Sequence, residues 1–170
     1  MKRIQFSLYI MLMVVPSFFI ACGGAKRPDG MPQLVPCQVT LTSQGQPVAG
    51  VSITLIPKQS GLERWSSAGL TDASGTAALV TYGQYKGVPS GEFKVVLGKT
   101  VTEGGENDTE TTPLAKREAI STFSLVDVKY IQEATTPLEL KVENRSVAES
   151  FEIGPEVKVL IDKFIPGKSL

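Results

Sequence analysis

From residue 37 onward, the chain is dominated by short runs in which apolar and polar residues alternate. "CQVTLTS" (37–43) sets Val39 and Leu41 on one face, and "VSITLIP" (51–57) sets Val51, Ile53 and Leu55 against Ser52 and Thr54. "FKVVLGK" (93–99) repeats the pattern through Phe93, Val95 and Leu97, and "TTPLELKVEN" (135–144) does so through Leu138, Leu140 and Val142. A period of two is the mark of a strand with one buried face. Pro57 ends its run, because proline cannot donate to a sheet ladder.

Turn residues separate these runs. "GQPVAG" (45–50) and "GQYKGVPSGE" (83–92) read as turns, and "KQSGLERWSS" as a loop carrying Trp65. "SAGLTDASGTAALVTYG" (67–83) reads as two strands around a tight turn, in which Asp72 accepts backbone N–H bonds and Gly75 takes a positive φ. Residues 100–119 are polar, acidic at first and without an apolar period. They are expected to form a mobile insertion or long hairpin loop. "ISTFSLVDVKYIQEA" (120–134) predicts a strand and then a helical turn near Tyr130. "RSVAESFEIG" (145–154) predicts a turn and a short strand through Phe151 and Ile153. Residues 156–170 fit either a further strand or a docked tail. About seven strands with frequent turns and no long helical stripe predict one all-β domain, an antiparallel β-sandwich of prealbumin or immunoglobulin type, over 37–155.

The first 36 residues follow other rules. Met1-Lys2-Arg3 is a basic head, and the stretch 4–21 is mostly apolar but broken by Pro16 and Ser17. This is the pattern of a secretory signal, with an uncleaved membrane anchor as the alternative. Phe19-Ile20-Ala21-Cys22 resembles the lipobox of bacterial lipoproteins. That resemblance implies cleavage before Cys22, acylation of its sulfur and acylation of the new N-terminus. Two or more chains are what stable anchoring requires. "CGGAKRPDGMPQLVP" (22–36) then reads as a flexible tether, with an rms reach of roughly 20 Å. Gly23 follows the cysteine, so the inner-membrane-retaining Asp of some enteric lipoproteins is absent, which points to the outer membrane. Cys37, left without a partner once Cys22 is acylated, is expected to be a buried, inert strand residue.

Composition narrows the chemistry. The 170 residues contain 17 Lys+Arg and 17 Asp+Glu, and a chain cut before Cys22 carries a net charge of −2. That is no footprint for nucleic acid. There is no histidine, which removes Ser-His-Asp and Cys-His catalysis and histidine-based zinc sites. No cofactor is implied. Glu103, Glu106, Asp108 and Glu110 read as a solvated charge run, and Asp72 as a structural residue rather than a calcium ligand.

"GQPVAGVSITLIP", "GLTDASGTAAL" and "VPSGEFKVVL" together resemble the turn and strand motifs of carboxypeptidase regulatory-like domains, which are transthyretin-like β-sandwiches. The resemblance covers about residues 37–99, with Phe93 where tyrosine is usual. It implies an accessory, structural or binding module. The enzymes of that kind use histidines that this chain lacks. Two roles follow as expectations. One is a lipid-anchored envelope module that contacts other envelope proteins. The other is a glycan-binding accessory module that stacks sugars on Trp65, Tyr82, Tyr85 and Phe93.

Overall fold

The computed structural model describes residues 27–104 and 120–164. The described chain is all-β, and its strands pack as a sandwich with an appended small sheet. The alternating runs form its longest strands: β2 (Cys37–Ser43), β4 (Ser52–Pro57), β10 (Gly91–Gly98) and β13 (Glu139–Val142). Shorter segments complete the sheets: β1 (Leu34–Val35), β3 (Gln46–Pro47), β5 (Ser67–Leu70), β6 (Thr76–Ala78), β7 (Val80–Thr81), β8 (Tyr85–Lys86) and β9 (Val88–Pro89). The later ones are β11 (Thr100–Glu103), β12 (Ile120–Ser124), β14 (Val147–Glu152) and β15 (Val159–Phe164).

One layer has the strand order β13-β10-β4-β5-β7-β8. The other is β14-β2-β3, with β6 also on β2. Register explains the core. Val95 lies opposite Leu55 and Leu97 opposite Ile53, so the buried halves of two alternating runs share one face. From the facing layer come Cys37, Val39 and Leu41, and Phe93, Leu140 and Val142 belong to the same cluster. Phe93 is buried, and burying a side chain of this size contributes about 1.5–3 kcal/mol.

Three features lie beyond the alternation. Leu34–Val35, in the stretch that reads as tether, pairs with Val88–Pro89, and Val35 is buried in the core. Gly87 permits this approach: at φ +102°, a Cβ there would lie 2.6 Å from the Val35 carbonyl oxygen. Secondly, β14 runs parallel to β2, with Val147 opposite Cys37 and Glu152 opposite Thr42, whereas every other described strand pair is antiparallel. The cause is the link 143–146, which carries the chain from one layer to the other instead of folding it back as a hairpin. Thirdly, Thr100–Glu103 continues β10 out of the sandwich as β11 and pairs with β12, which in turn pairs with β15. The insertion read over 100–119 thus opens with a strand, and residues 105–119 lie outside the described residues. A 3₁₀ turn at Val128–Tyr130, N-capped by Asp127, stands where a helical turn was expected. Among the described residues no helix is long and apolar enough to cross a membrane.

Candidate functional site

Asp72 builds its turn from a single oxygen. Oδ1 accepts the Ser74 N–H at 2.8 Å, the Ser74 hydroxyl at 2.6 Å and the Thr76 N–H at 3.0 Å. These bonds, the Ser74 hydroxyl first, hold its pKa below the ordinary carboxylate value. With its reach taken up by local donors, Asp72 is a turn anchor. Gly75 lies within this turn at φ +74° and tucks against β2: a Cβ there would meet the Leu41 oxygen at 2.6 Å and the Val48 nitrogen at 2.9 Å.

A second carboxylate-pinned turn comes from distant sequence. Glu152 accepts the Thr42 hydroxyl at 2.8 Å and the Gln44 N–H at 2.5 Å, so the end of β14 holds the β2–β3 turn. Its pKa is lowered, chiefly by Thr42 and then by the turn N–H groups. Gln44 takes φ +52° within that turn. Beside it lies a cleft of about 400 Å³ with Val48, Val126 and Ile153 among its apolar lining and Gln44 and Gln46 among its polar lining. The Lys99–Glu156 ion pair, 3.4 Å, lies at the same cleft. Its lining comes from four separated stretches of chain, and no local motif announces it.

The four aromatic residues do not form one platform. Phe93 belongs to the core. Trp65 is only 4% exposed, with the Arg64 guanidinium carbon 4.4 Å from its ring centroid and the Tyr82 ring at 5.5 Å, tilted by 50°. Tyr82 is 44% exposed and lies in a tight turn at φ +53°, followed by Gly83 at φ +68°. A bulky residue in the left-handed region is unusual, and asparagine or glycine is the ordinary occupant there. Tyr85, half-buried, follows on β8. A sugar ring approaching this corner would therefore meet Tyr82, not the closed face of Trp65.

Cys37 is a free, buried thiol whose pKa is raised to about 11, by burial first and by Glu149 second. The thiolate is the reactive form, so this sulfur is a poor nucleophile. Of the acidic run, Glu103 is engaged by Lys158 at 2.6 Å. Glu106, Asp108, Glu110 and the acylation candidate Cys22 lie outside the described residues. Among the described residues no group of three His, Cys, Asp or Glu side chains is placed to hold a metal ion.

Comparison of the chain with family models, curated proteins and solved structures yields no match.

Proposed function

We propose that this protein is a non-catalytic module of a bacterial envelope, held at the membrane by acyl chains on Cys22 and acting through contacts with other proteins. The observation that carries the reading is Phe19-Ile20-Ala21-Cys22 at the end of a basic-headed apolar stretch. Residues 27–33 precede the first strand without joining a sheet, as a tether would. The chain has no histidine, and its one described thiol is buried and protonated at neutral pH. A carboxypeptidase regulatory-like origin for the sandwich belongs to the same proposal, resting on the turn motifs around Asp72 and Gly75. A glycan-binding role would have to work through the exposed Tyr82 ring, because Trp65 is closed, and the protein-contact reading takes precedence for that reason.

The test is acyl labelling of the full chain in a bacterial host, with mass spectrometry of the N-terminal peptide. The expected result is a mature chain that begins at an acylated Cys22 and fractionates with membranes. Cys22→Ala should lose the label and retain residues 1–21. An unmodified Cys22 in the parent chain would overturn the anchor and the location with it.

A further inference from the structure

One rim of the sandwich gathers several strand ends and the start of the described chain. Gly91, opening β10, lies opposite Val142, closing β13. Lys58 donates its N–H to the Glu92 oxygen, and Tyr82 donates its N–H to the Ser66 oxygen. The link 143–146, the loop 58–66 and the turn between β7 and β8 therefore share this rim. The N-terminal segment reaches it too, since Leu34 lies opposite Pro89 and the Pro36 oxygen accepts the Val147 N–H. Before Leu34 the chain folds on itself: Arg27 donates to the Pro32 oxygen at 2.6 Å, and Met31 to the Pro28 oxygen at 3.2 Å. Arg27 stands five positions after Cys22, so their Cα atoms are at most about 18 Å apart. The far end of the small sheet lies up to roughly 40 Å from the rim along β10 and β11.

The rim has a surplus of cations. The exposed Arg64 guanidinium lies on Trp65, and the exposed Lys86 follows the Tyr82 turn; neither has a carboxylate partner among the described residues. Arg145, 80% exposed, and Lys141 share the single carboxylate Glu143, at 3.3 and 3.4 Å. Asp29 and Glu63 offset part of this charge and leave it positive. Tyr82, 44% exposed, adds an aromatic ring with a polar tip. The opposite end has the reverse balance. Lys99 and Lys158 are paired there with Glu156 and Glu103, while Asp72 and Glu152 accept only neutral donors. Lysine and arginine are drawn to anionic headgroups, and tyrosine settles at headgroup level. We propose that this rim rests on the anionic headgroups of the membrane that holds the acyl chains, with the small sheet and the cleft beside Glu152 turned away from it. This orientation rests on the acyl anchor proposed above. A weak attraction suffices, because the acyl chains already confine the rim to the surface.

Fluorescence quenching tests the orientation in the full-length acylated chain, reconstituted in vesicles of phosphatidylethanolamine and phosphatidylglycerol that carry a headgroup-spin-labelled lipid. A fluorophore is attached to one introduced cysteine; acylation blocks Cys22 and burial shields Cys37. Gln84→Cys, on the rim turn, should be quenched several-fold more than Ala73→Cys, on the Asp72 turn at the opposite end. Ser60→Cys, in the rim loop 58–66, gives the same reading if Gln84→Cys disturbs its turn. Replacing phosphatidylglycerol with phosphatidylcholine should reduce the difference several-fold. The exposed pair Lys86→Glu and Arg145→Glu should do the same in the original vesicles. Equal quenching at both ends, or stronger quenching at position 73, would overturn the proposal. Quenching at the rim that ignores both phosphatidylglycerol and the charge reversal would overturn it as well, since a short tether alone accounts for that. Mass spectrometry of the N-terminal peptide from the same sample separates the two failures: an acylated chain with equal quenching overturns the orientation alone, whereas an unmodified Cys22 overturns the anchor and the orientation together.

Discussion

A methyl group at position 75 has nowhere to go. Backbone atoms of Leu41 and Val48 occupy its space, and φ +74° strains any side chain in addition. Gly75→Ala should therefore destabilise the fold by about 2 kcal/mol or more. Urea denaturation measures this, with an unchanged slope and an earlier midpoint expected. The demand for glycine at this turn is legible in "TDASGT", where Asp72 and Gly75 stand at turn spacing. Tyr82 is the opposite case. Its positive φ contradicts its residue type, and only the packing of its ring against Trp65 accounts for tyrosine in a turn suited to asparagine or glycine. Glu152 lies more than a hundred residues from the turn that it pins, so no local reading finds it.

At the scale of the strand, alternation identified β2, β4, β10 and β13, because each buries one face and exposes the other. It did not identify β11, whose residues Thr100–Glu103 are mostly exposed and lack an apolar side; pairing with β12, not burial, makes that strand. The two-residue strands β3, β7, β8 and β9 lie in or beside stretches that read as turns, since two residues carry no period. The inert character expected of Cys37 follows from its place in β2, where β14 covers one edge and β3 and β6 share the other. In a Cys22→Ala chain, Cys37 should fail to react with a disulfide reagent at about pH 8, where an ordinary thiol is partly ionised. It should react stoichiometrically in denaturant. Rapid labelling of the native chain would show that β14 and β2 separate readily.

For the whole molecule, three carboxylates hold turns and neighbouring strands in place, and all are shifted in the same direction. Asp72 and Glu152 are depressed by hydrogen bonds. Glu139 is depressed chiefly by its bond to Lys94, at 2.8 Å, and then by its bond to Lys58, at 3.1 Å. A carboxylate with a folded-state pKa below its unfolded value stabilises the fold above the unfolded value, and that stability is lost as pH falls through the folded one. The denaturation midpoint should thus be level from neutrality to about pH 5 and decline below about pH 4. The triple variant Asp72→Asn, Glu139→Gln, Glu152→Gln should be less stable at neutrality and flatter in acid. Added salt should weaken the exposed Glu139 pairs more than the turn-bound Asp72 and Glu152. A parent chain whose midpoint is unchanged down to about pH 2 would contradict this account.

By itself the sequence determined which residues face inward along each long strand, where Asp72 and Gly75 turn the chain, and that histidine chemistry is absent. Those properties are local, set by side-chain alternation, backbone sterics and composition. Only the tertiary structure decided that β14 joins β2 in parallel, that Trp65 is closed between Arg64 and Tyr82, and that Glu152 reaches the turn at residues 42–45. Periodicity encodes the face of a strand but neither its neighbour nor its direction. Partners so far apart in the chain are chosen by the packing of the completed core.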